Sequence, residues 1–131
     1  MIYLMARPTA LAALLLAAAC THHHDAGAAV AQPSIEPVEV ILAVTNHQFL
    51  DVTVFVEHDG LRTRVGTITA ASSEDFKIPW RVFGQNHTFR LFAEVVGNTS
   101  TLRTETLTIQ PGQIIEWTLE NDLQRSSVGI L

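Results

Sequence analysis

The residues best suited to bind a metal ion lie near the start of the sequence, where His22, His23, His24 and Asp25 are adjacent. Imidazole and carboxylate groups are suitable ligands for Zn²⁺ or Ni²⁺, which makes this cluster a candidate metal site. Adjacent residues in a segment of small and polar types are not held in a tetrahedral arrangement, however. The alternative interpretation, which the sequence favours, is a polar and solvated segment.

A second group of residues could bind an organic ligand. Trp80, Arg81 and Phe83 follow Pro79 and combine two aromatic rings with a cation. Aromatic side chains on a loop can hold sugars or peptide chains, so these three residues form a candidate ligand-binding site. In the alternative interpretation, which the sequence favours, Trp80 and Phe83 close one end of the folded domain.

Residue types for catalysis are present, but no catalytic motif accompanies them. Ser72 or Ser73, His87 and Asp75 could be drawn together as a triad. The sequence has neither a nucleophile elbow nor a glycine run for an oxyanion hole. P-loop, dinucleotide-binding and HExxH motifs are absent from it as well. We therefore expect a protein that is not an enzyme and uses no cofactor.

Composition excludes several further classes of protein. The 131 residues are 47% hydrophobic and 16% charged, which is typical of a folded domain rather than a disordered chain or a coiled coil. Eight basic and thirteen acidic residues give a net charge of −5, which argues against binding to nucleic acid. A single cysteine, Cys20, excludes an internal disulfide bond and a multi-cysteine metal site.

Residues 1–19 have the features of a secretory signal peptide. A start with one basic residue, Arg7, precedes an apolar stretch from Ala10 to Ala19. This stretch is too short to cross a bilayer, which takes about 20 residues. It ends in the sequence LAAAC at Cys20, which resembles the lipobox of bacterial lipoproteins. The departure from the usual pattern is Ala17, where leucine is common.

The lipobox resemblance implies cleavage before Cys20 and acylation of its thiol, which would anchor the protein to a membrane of the bacterial cell envelope. Residues 20–37 would then be the lipidated cysteine and a flexible tether of small, polar and proline residues. Thr21, rather than aspartate, follows the cysteine, which implies the outer membrane and a domain that faces the periplasm. The alternative is an ordinary signal peptide that is cleaved after Ala31.

From Val38 onward, short runs of β-branched and aromatic residues alternate with turn formers. Within the runs, apolar residues such as Val52, Val54 and Val56 alternate with polar ones, which indicates strands with one buried face. The sequence predicts seven strands: Val38–Val44, Leu50–Glu57, Arg62–Thr69, Glu74–Ile78, Thr88–Val96, Arg103–Gln110 and Ile114–Glu120. This pattern predicts a seven-stranded immunoglobulin-like antiparallel sandwich over residues 38–131.

Residue types also predict the turns and one charged surface. Asp59-Gly60 predicts a tight hairpin, because both residues tolerate positive φ. Pro111-Gly112 predicts a type II turn with positive φ at Gly112, joining the last two strands as a hairpin. Arg62 and Arg64 lie two residues apart on one strand and point the same way. This pair predicts a solvated strand edge that discourages aggregation between strands. In the weaker alternative, the two arginines bind an acidic partner.

Five runs give the domain its resemblance to known proteins: VTN at residues 44–46, VTVFV at 52–56, GLRTRVG at 60–66, IP at 78–79 and IQPGQ at 109–113. They resemble those of small bacterial lipoproteins in which a lipobox and tether precede one β-sandwich, and of PEGA-like and transthyretin-like modules. The resemblance implies a non-enzymatic, lipid-anchored structural or protein-interaction module, with an envelope protein or cell-wall component as its partner. The alternatives are glycan or peptide binding through the Trp80 loop, and metal binding through His22–His24.

Overall fold

The structure, a computed structural model, describes residues 38–131. The predicted signal peptide, lipidated Cys20, tether and His22–Asp25 cluster lie outside the described residues. The described part contains nine β-strands: β1 (Glu39–Asn46), β2 (Val52–His58), β3 (Leu61–Ile68), β4 (Ser72–Pro79), β5 (Thr88–Val95), β6 (Thr101–Arg103), β7 (Leu107–Thr108), β8 (Ile114–Leu119) and β9 (Ser127–Ile130). Two 3-10 helices, Trp80–Phe83 and Leu123–Arg125, connect β4 to β5 and β8 to β9. No helix between residues 38 and 131 is long and apolar enough to cross a membrane.

The strands form two sheets that enclose one hydrophobic core. One sheet has the order β4-β1-β8-β9, and the other has the order β3-β2-β5-β6, with β7 paired to β5. Neighbouring strands are antiparallel except β1 and β8, which are parallel. The predicted all-β sandwich is confirmed, but it has nine strands in the described residues rather than seven.

The extra strands arise in two places. The predicted strand Arg103–Gln110 is wrong as a single element, because the chain leaves the ladder after β6 and rejoins it at β7. At the break, the hydroxyl of Thr104 accepts the N–H of Leu91 at 2.9 Å, which replaces a backbone carbonyl. Such side-chain bonds compete with the regular ladder. The other addition is β9, which lies beyond the last predicted strand.

Alternate side chains of the strands fill the core, as the sequence predicts. Val52, Val54 and Val56 of β2 are at most 1% exposed. Trp117 of β8 is buried against them from the other sheet. Each strand therefore keeps its other face for the outer surface of the domain.

Asn46, at the end of β1, is the only buried polar residue in the described part of the chain. Its Nδ2 donates to the carbonyls of Leu50 and Thr69, both at 3.1 Å, and its Oδ1 accepts the N–H of Gln48 at 2.9 Å. Because these bonds replace those to water, the amide can be buried without a large cost. It ties the end of β1 to the loop before β2 and to the residue that follows β3.

The two predicted turns are present, but one of them has a different role. Asp59 and Gly60 have φ of 48° and 75° and join the paired strands β2 and β3, as predicted. Gly112 has φ of 86°, and the N–H of Gln113 donates to the carbonyl of Gln110 at 3.1 Å. The predicted hairpin around Gly112 is wrong, because β7 pairs with β5 while β8 pairs with β1 and β9. The turn carries the chain from one sheet to the other.

We expect Gly112→Val to destabilise the domain through backbone strain alone. A Cβ at Gly112 would meet no atom within 4 Å, so only its positive φ opposes a side chain. That conformation costs about 1–2 kcal/mol for an L-residue. Thermal unfolding should show a melting temperature lower than that of the wild type, by roughly 4–8 °C for each kcal/mol of lost stability.

Gln110→Val is the matched control, since Gln110 is exposed in the same turn and has no positive φ. This variant should melt within about 2–4 °C of the wild type, because exposed substitutions usually change stability by less than about 0.5 kcal/mol. Equal losses of melting temperature in the two variants would contradict the assigned turn.

Candidate functional site

The structure places the Trp80 loop at one end of the sandwich and turns much of it inward. Phe83 is 0% exposed and packs edge-on against Phe89, with ring centroids 4.8 Å apart. Trp80 is half-buried against the core, and its ring lies 4.4 Å from that of His87. Arg81 is exposed. Phe83 therefore offers no surface to a ligand, and the geometry is that of the alternative interpretation, in which the aromatic residues close the sandwich. A binding role for Trp80 and Arg81 stays a prediction.

The residues of the hypothetical catalytic triad are not brought together. Ser72 and Ser73 lie where β4 begins, and their hydroxyls bond to Thr69 and Thr45. His87 lies beside Trp80, which follows the other end of β4. Since β4 spans eight residues, the serines and the histidine lie at opposite ends of the sandwich.

A different cluster covers the outer surface of the β3-β2-β5-β6 sheet. Phe55 and Phe92 are direct cross-strand partners on β2 and β5, with ring centroids 6.1 Å apart. Both point away from the core, because Val54, Val56 and Leu91 occupy the inward positions. Phe92 is nevertheless only 8% exposed. Other side chains on the outer surface must therefore cover it.

Arginine side chains provide this cover. The guanidinium of Arg62 lies 3.7 Å from the ring centroid of Phe92 and 5.7 Å from that of Phe55. Arg103, which pairs with Phe92 from β6, lies 5.4 Å from the same ring. Stacked guanidinium groups shield the apolar rings from water and gain a cation–π attraction. We call this surface, with the exposed Arg64 and Arg90, the arginine face.

Glu57 holds both stacked arginines in position. Its carboxylate accepts from Nη2 of Arg62 at 2.6 Å and from Nη2 of Arg103 at 3.1 Å, and Nε of Arg103 lies 2.8 Å from its other oxygen. Burial acts to raise the pKa of Glu57, but the hydrogen bonds and charges of the two arginines outweigh it and hold this pKa below its ordinary value. The carboxylate is thus ionised at neutral pH, and its side chain is only 17% exposed.

Arg90 and Arg64 keep most of their hydrogen-bonding capacity for a partner. Arg90 Nε donates to the hydroxyl of Thr106 at 3.1 Å, and Arg64 Nη2 donates to that of Thr67 at 2.8 Å. Neither guanidinium has a carboxylate within 4 Å among residues 38–131. A guanidinium has five N–H donors, so each retains donors for an acidic group.

An open groove of about 760 Å³ runs along the arginine face. Arg62, Arg90 and Arg103 line it, and it ends at His58 and Asp59 in the β2–β3 turn. The charged residues of its lining are these three arginines and the carboxylates of Glu57 and Asp59. Its floor belongs to a paired sheet, which keeps the lining residues at fixed spacing.

His58 is fixed at the end of the groove. Its Nδ1 donates to the carbonyl of Thr88 at 2.7 Å, and its Nε2 lies 3.0 Å from a carboxylate oxygen of Asp59. The backbone of Gly84 lies so close that a Cβ there would overlap the imidazole ring. His58 and Asp59 provide only two potential metal ligands, and the described residues contain no group of three or more His, Cys, Asp or Glu that could hold a metal ion.

Comparisons with known proteins leave the family open. No protein-family model matches the chain, and no curated protein matches it significantly. One similar solved structure is the NMR structure of a protein from Eubacterium rectale. It shares 12% identity with this chain, covers 72% of this chain and 87% of its own, and has a TM-score of 0.42. This similarity is too weak to indicate a function.

The spacing of Arg62 and Arg64 predicts that they share a face of their strand, but the residues they contact are not apparent from the sequence. Strand alternation places Phe55 and Glu57 on the outer side of β2, so the sequence alone predicts the face on which these two side chains lie. Pairing Phe55 with Phe92, and Phe92 with Arg103, depends on the register of strands that are distant in sequence. The alternation within one strand does not specify that register.

We expect Glu57→Gln to lower the free energy of unfolding by up to about 1 kcal/mol at pH 7, the upper range for an exposed ion pair. Because the folded pKa of Glu57 lies below that of the unfolded chain, its contribution is complete above the unfolded pKa. The contribution is lost as pH falls through the folded pKa. Urea unfolding at a series of pH values should show the difference between wild type and variant shrinking below about pH 4.5.

Glu74→Gln serves as the control, because it removes an exposed carboxylate that has no ion-pair partner in the described residues. Its effect on the free energy of unfolding should be small at pH 7. A difference between wild type and Glu57→Gln that stays constant from pH 7 to pH 3 would contradict the role of the ionised carboxylate.

Proposed function

We propose that this protein is a non-enzymatic, lipid-anchored interaction module of the bacterial cell envelope, and that it binds an acidic segment of a partner protein through the arginine face. The observation that carries the proposal is the stacking of Arg62 on Phe92 with Glu57 holding the guanidinium. These side chains are held in position by contacts within the domain. A partner therefore meets an ordered surface and loses less conformational entropy on binding.

The chemistry of the arginine face supports a protein partner. Arginine and aromatic residues are enriched at protein–protein interfaces, especially among residues that carry most of the binding energy. The face carries an open groove along a sheet, which suits an extended chain better than an enclosed small molecule. It therefore supports the interaction module rather than the ligand-binding alternative at the Trp80 loop.

The charge distribution supports an acidic partner. Residues 38–131 contain seven basic and eleven acidic residues, so the domain as a whole is negative. Four of the seven cations, Arg62, Arg64, Arg90 and Arg103, lie on the arginine face, against three carboxylates, those of Glu57, Glu94 and Asp59. A positive patch on a negative domain attracts and orients an acidic segment.

The membrane anchor of the proposal depends on Cys20. Its position after an apolar stretch is the basis for acylation, and the tether of residues 21–37 would span about 20–25 Å as a random coil. That length would hold the domain just beyond the lipid headgroups. The arginine face could then contact a partner near the membrane surface.

Intact-mass spectrometry of the protein purified from membranes should show a chain that begins at an acylated Cys20. The Cys20→Ser variant should lack the mass of the acyl chains, because no thiol remains to accept them. An unmodified chain that begins at Gln32 would contradict the anchor.

Site-specific photocrosslinking in cells tests the binding face. A photoreactive amino acid at Thr106, which lines the groove, should crosslink to a partner. The same group at Ser73, exposed on the other sheet, should not. Arg90→Glu should reduce the Thr106 crosslink at least tenfold, which corresponds to about 1.4 kcal/mol of binding free energy. Among residues 38–131 the exposed side chain of Arg90 bonds only to Thr106, so the core does not depend on it, and Arg90→Ala should lower the crosslink in the same direction without a carboxylate opposite Glu57.

Equal crosslinking from Thr106 and Ser73, or a Thr106 crosslink that persists in Arg90→Glu, would contradict the proposal. The yield should also fall as salt is raised in isolated membranes, because the contact is between exposed charges. A partner released by glycan-degrading enzymes rather than by protease would indicate a cell-wall polymer instead of a protein.

A further inference from the structure

The last strand, β9, leaves backbone hydrogen-bonding groups at the edge of its sheet. The N–H groups of Ile114 and Leu131 donate to each other's carbonyls at 3.0 and 2.9 Å. In an antiparallel ladder such pairs alternate with unbonded pairs, and Val128 and Ile130 occupy the unbonded positions opposite Trp117 and Ile115. The N–H and C=O groups of Val128 and Ile130 therefore point away from β8. No other strand within residues 38–131 pairs with them.

The other sheet edges carry features that oppose pairing with another chain. The β4 edge has Glu74, Asp75 and Lys77, and the β3 edge has Arg62, Arg64 and a register shift next to Phe55. β6 has only three residues and ends at Arg103. Charges, irregularities and short length are the usual means by which proteins prevent edge pairing. β9 has the sequence SVGI, without charge or proline, and its pairing with β8 is regular.

The edge of β9 is complementary to itself. The two residues whose backbone N–H and C=O groups point away from β8, Val128 and Ile130, lie symmetrically on either side of Gly129. Two antiparallel copies related by a two-fold axis at Gly129 would place Val128 of each opposite Ile130 of the other. Each of these two pairs would form two backbone hydrogen bonds, so the contact would contain four in total. The absence of a Cβ on Gly129 leaves room where the two strands approach most closely.

We propose that a second copy of this chain pairs along β9, joining two four-stranded sheets into one continuous sheet of eight strands. Apolar groups at this edge support a second copy as the occupant. Val128 and Ile130 are only partly buried by their own domain, while Leu131 is 67% and Ile114 is 38% exposed. Edge pairing covers part of this surface in both copies, and a two-fold contact closes at a dimer instead of growing into a filament.

The dimer goes beyond the proposed function and does not depend on it. The arginine face belongs to the other sheet, so both copies keep it accessible. Two such faces on one dimer could bind two segments of a partner at once, which raises the overall affinity without new contacts. Because each domain is negative, salt should strengthen the dimer, whereas it should weaken binding at the arginine face.

Sedimentation velocity of the full chain carrying Cys20→Ser, which removes the acylation site, tests the dimer from 1 to 500 μM. The wild-type edge should give a reversible monomer–dimer equilibrium. Gly129→Lys should weaken it at least tenfold, because two like charges would meet at the axis. The site has ordinary φ and no atom within 4 Å, so the lysine can be accommodated in the monomer. Ser73→Lys, which adds the same charge at the opposite edge of this sheet, should dimerise normally.

Charge complementation separates edge pairing from a general loss of stability. Gly129→Asp should also weaken dimerisation when alone, and an equal mixture of the Lys and Asp variants should restore it. A chain that stays monomeric at 500 μM, or a Gly129→Lys variant that dimerises like the wild type, would overturn the proposal. Slow hydrogen exchange of the Val128 and Ile130 amides in a monomer would show that another segment of the same chain covers the edge, which would also overturn it.

Discussion

The domain depends on one constraint, which is that the strands of each sheet direct a row of apolar side chains to the same face of that sheet. Neither sheet can leave that face in water, so the two sheets must cover each other. Val54 and Leu91 from one sheet and Trp117 from the other are buried together in this way. The opposite faces take no part in the core. Their chemistry can therefore serve another purpose, and strand register fixes the position of every side chain on them.

The outer face of the β3-β2-β5-β6 sheet, which takes no part in the core, carries an unusual surface. Phe92 would expose a large apolar ring if Arg62 did not stack on it. Arg62 in turn is held by Glu57, which also bonds to Arg103. Burial of the ring, orientation of the guanidinium groups and ionisation of the carboxylate thus depend on one another. This mutual dependence is what makes the surface ordered before a partner arrives.

Local patterns predict much of the fold, but not the site. Alternation of Val52, Val54 and Val56 predicts which face of β2 is buried, and the residue types of Asp59 and Gly60 predict the hairpin. The same reasoning fails where a distant strand decides the outcome. Gly112 has the predicted φ, but its turn connects different sheets because each flanking strand pairs elsewhere. The arginine face also depends on long-range register, which adjacent residues do not encode.

The central claim is that the arginine face is the surface that binds an acidic segment. Amide chemical shifts of the ¹⁵N-labelled chain carrying Cys20→Ser, titrated with a decapeptide of glutamate, test it directly. We predict shifts concentrated at Phe55, Arg90 and Phe92 that diminish with added salt, and no shifts at these three residues with a lysine decapeptide at the same concentration. Shifts centred on Trp80, or no shifts at millimolar glutamate peptide, would contradict it.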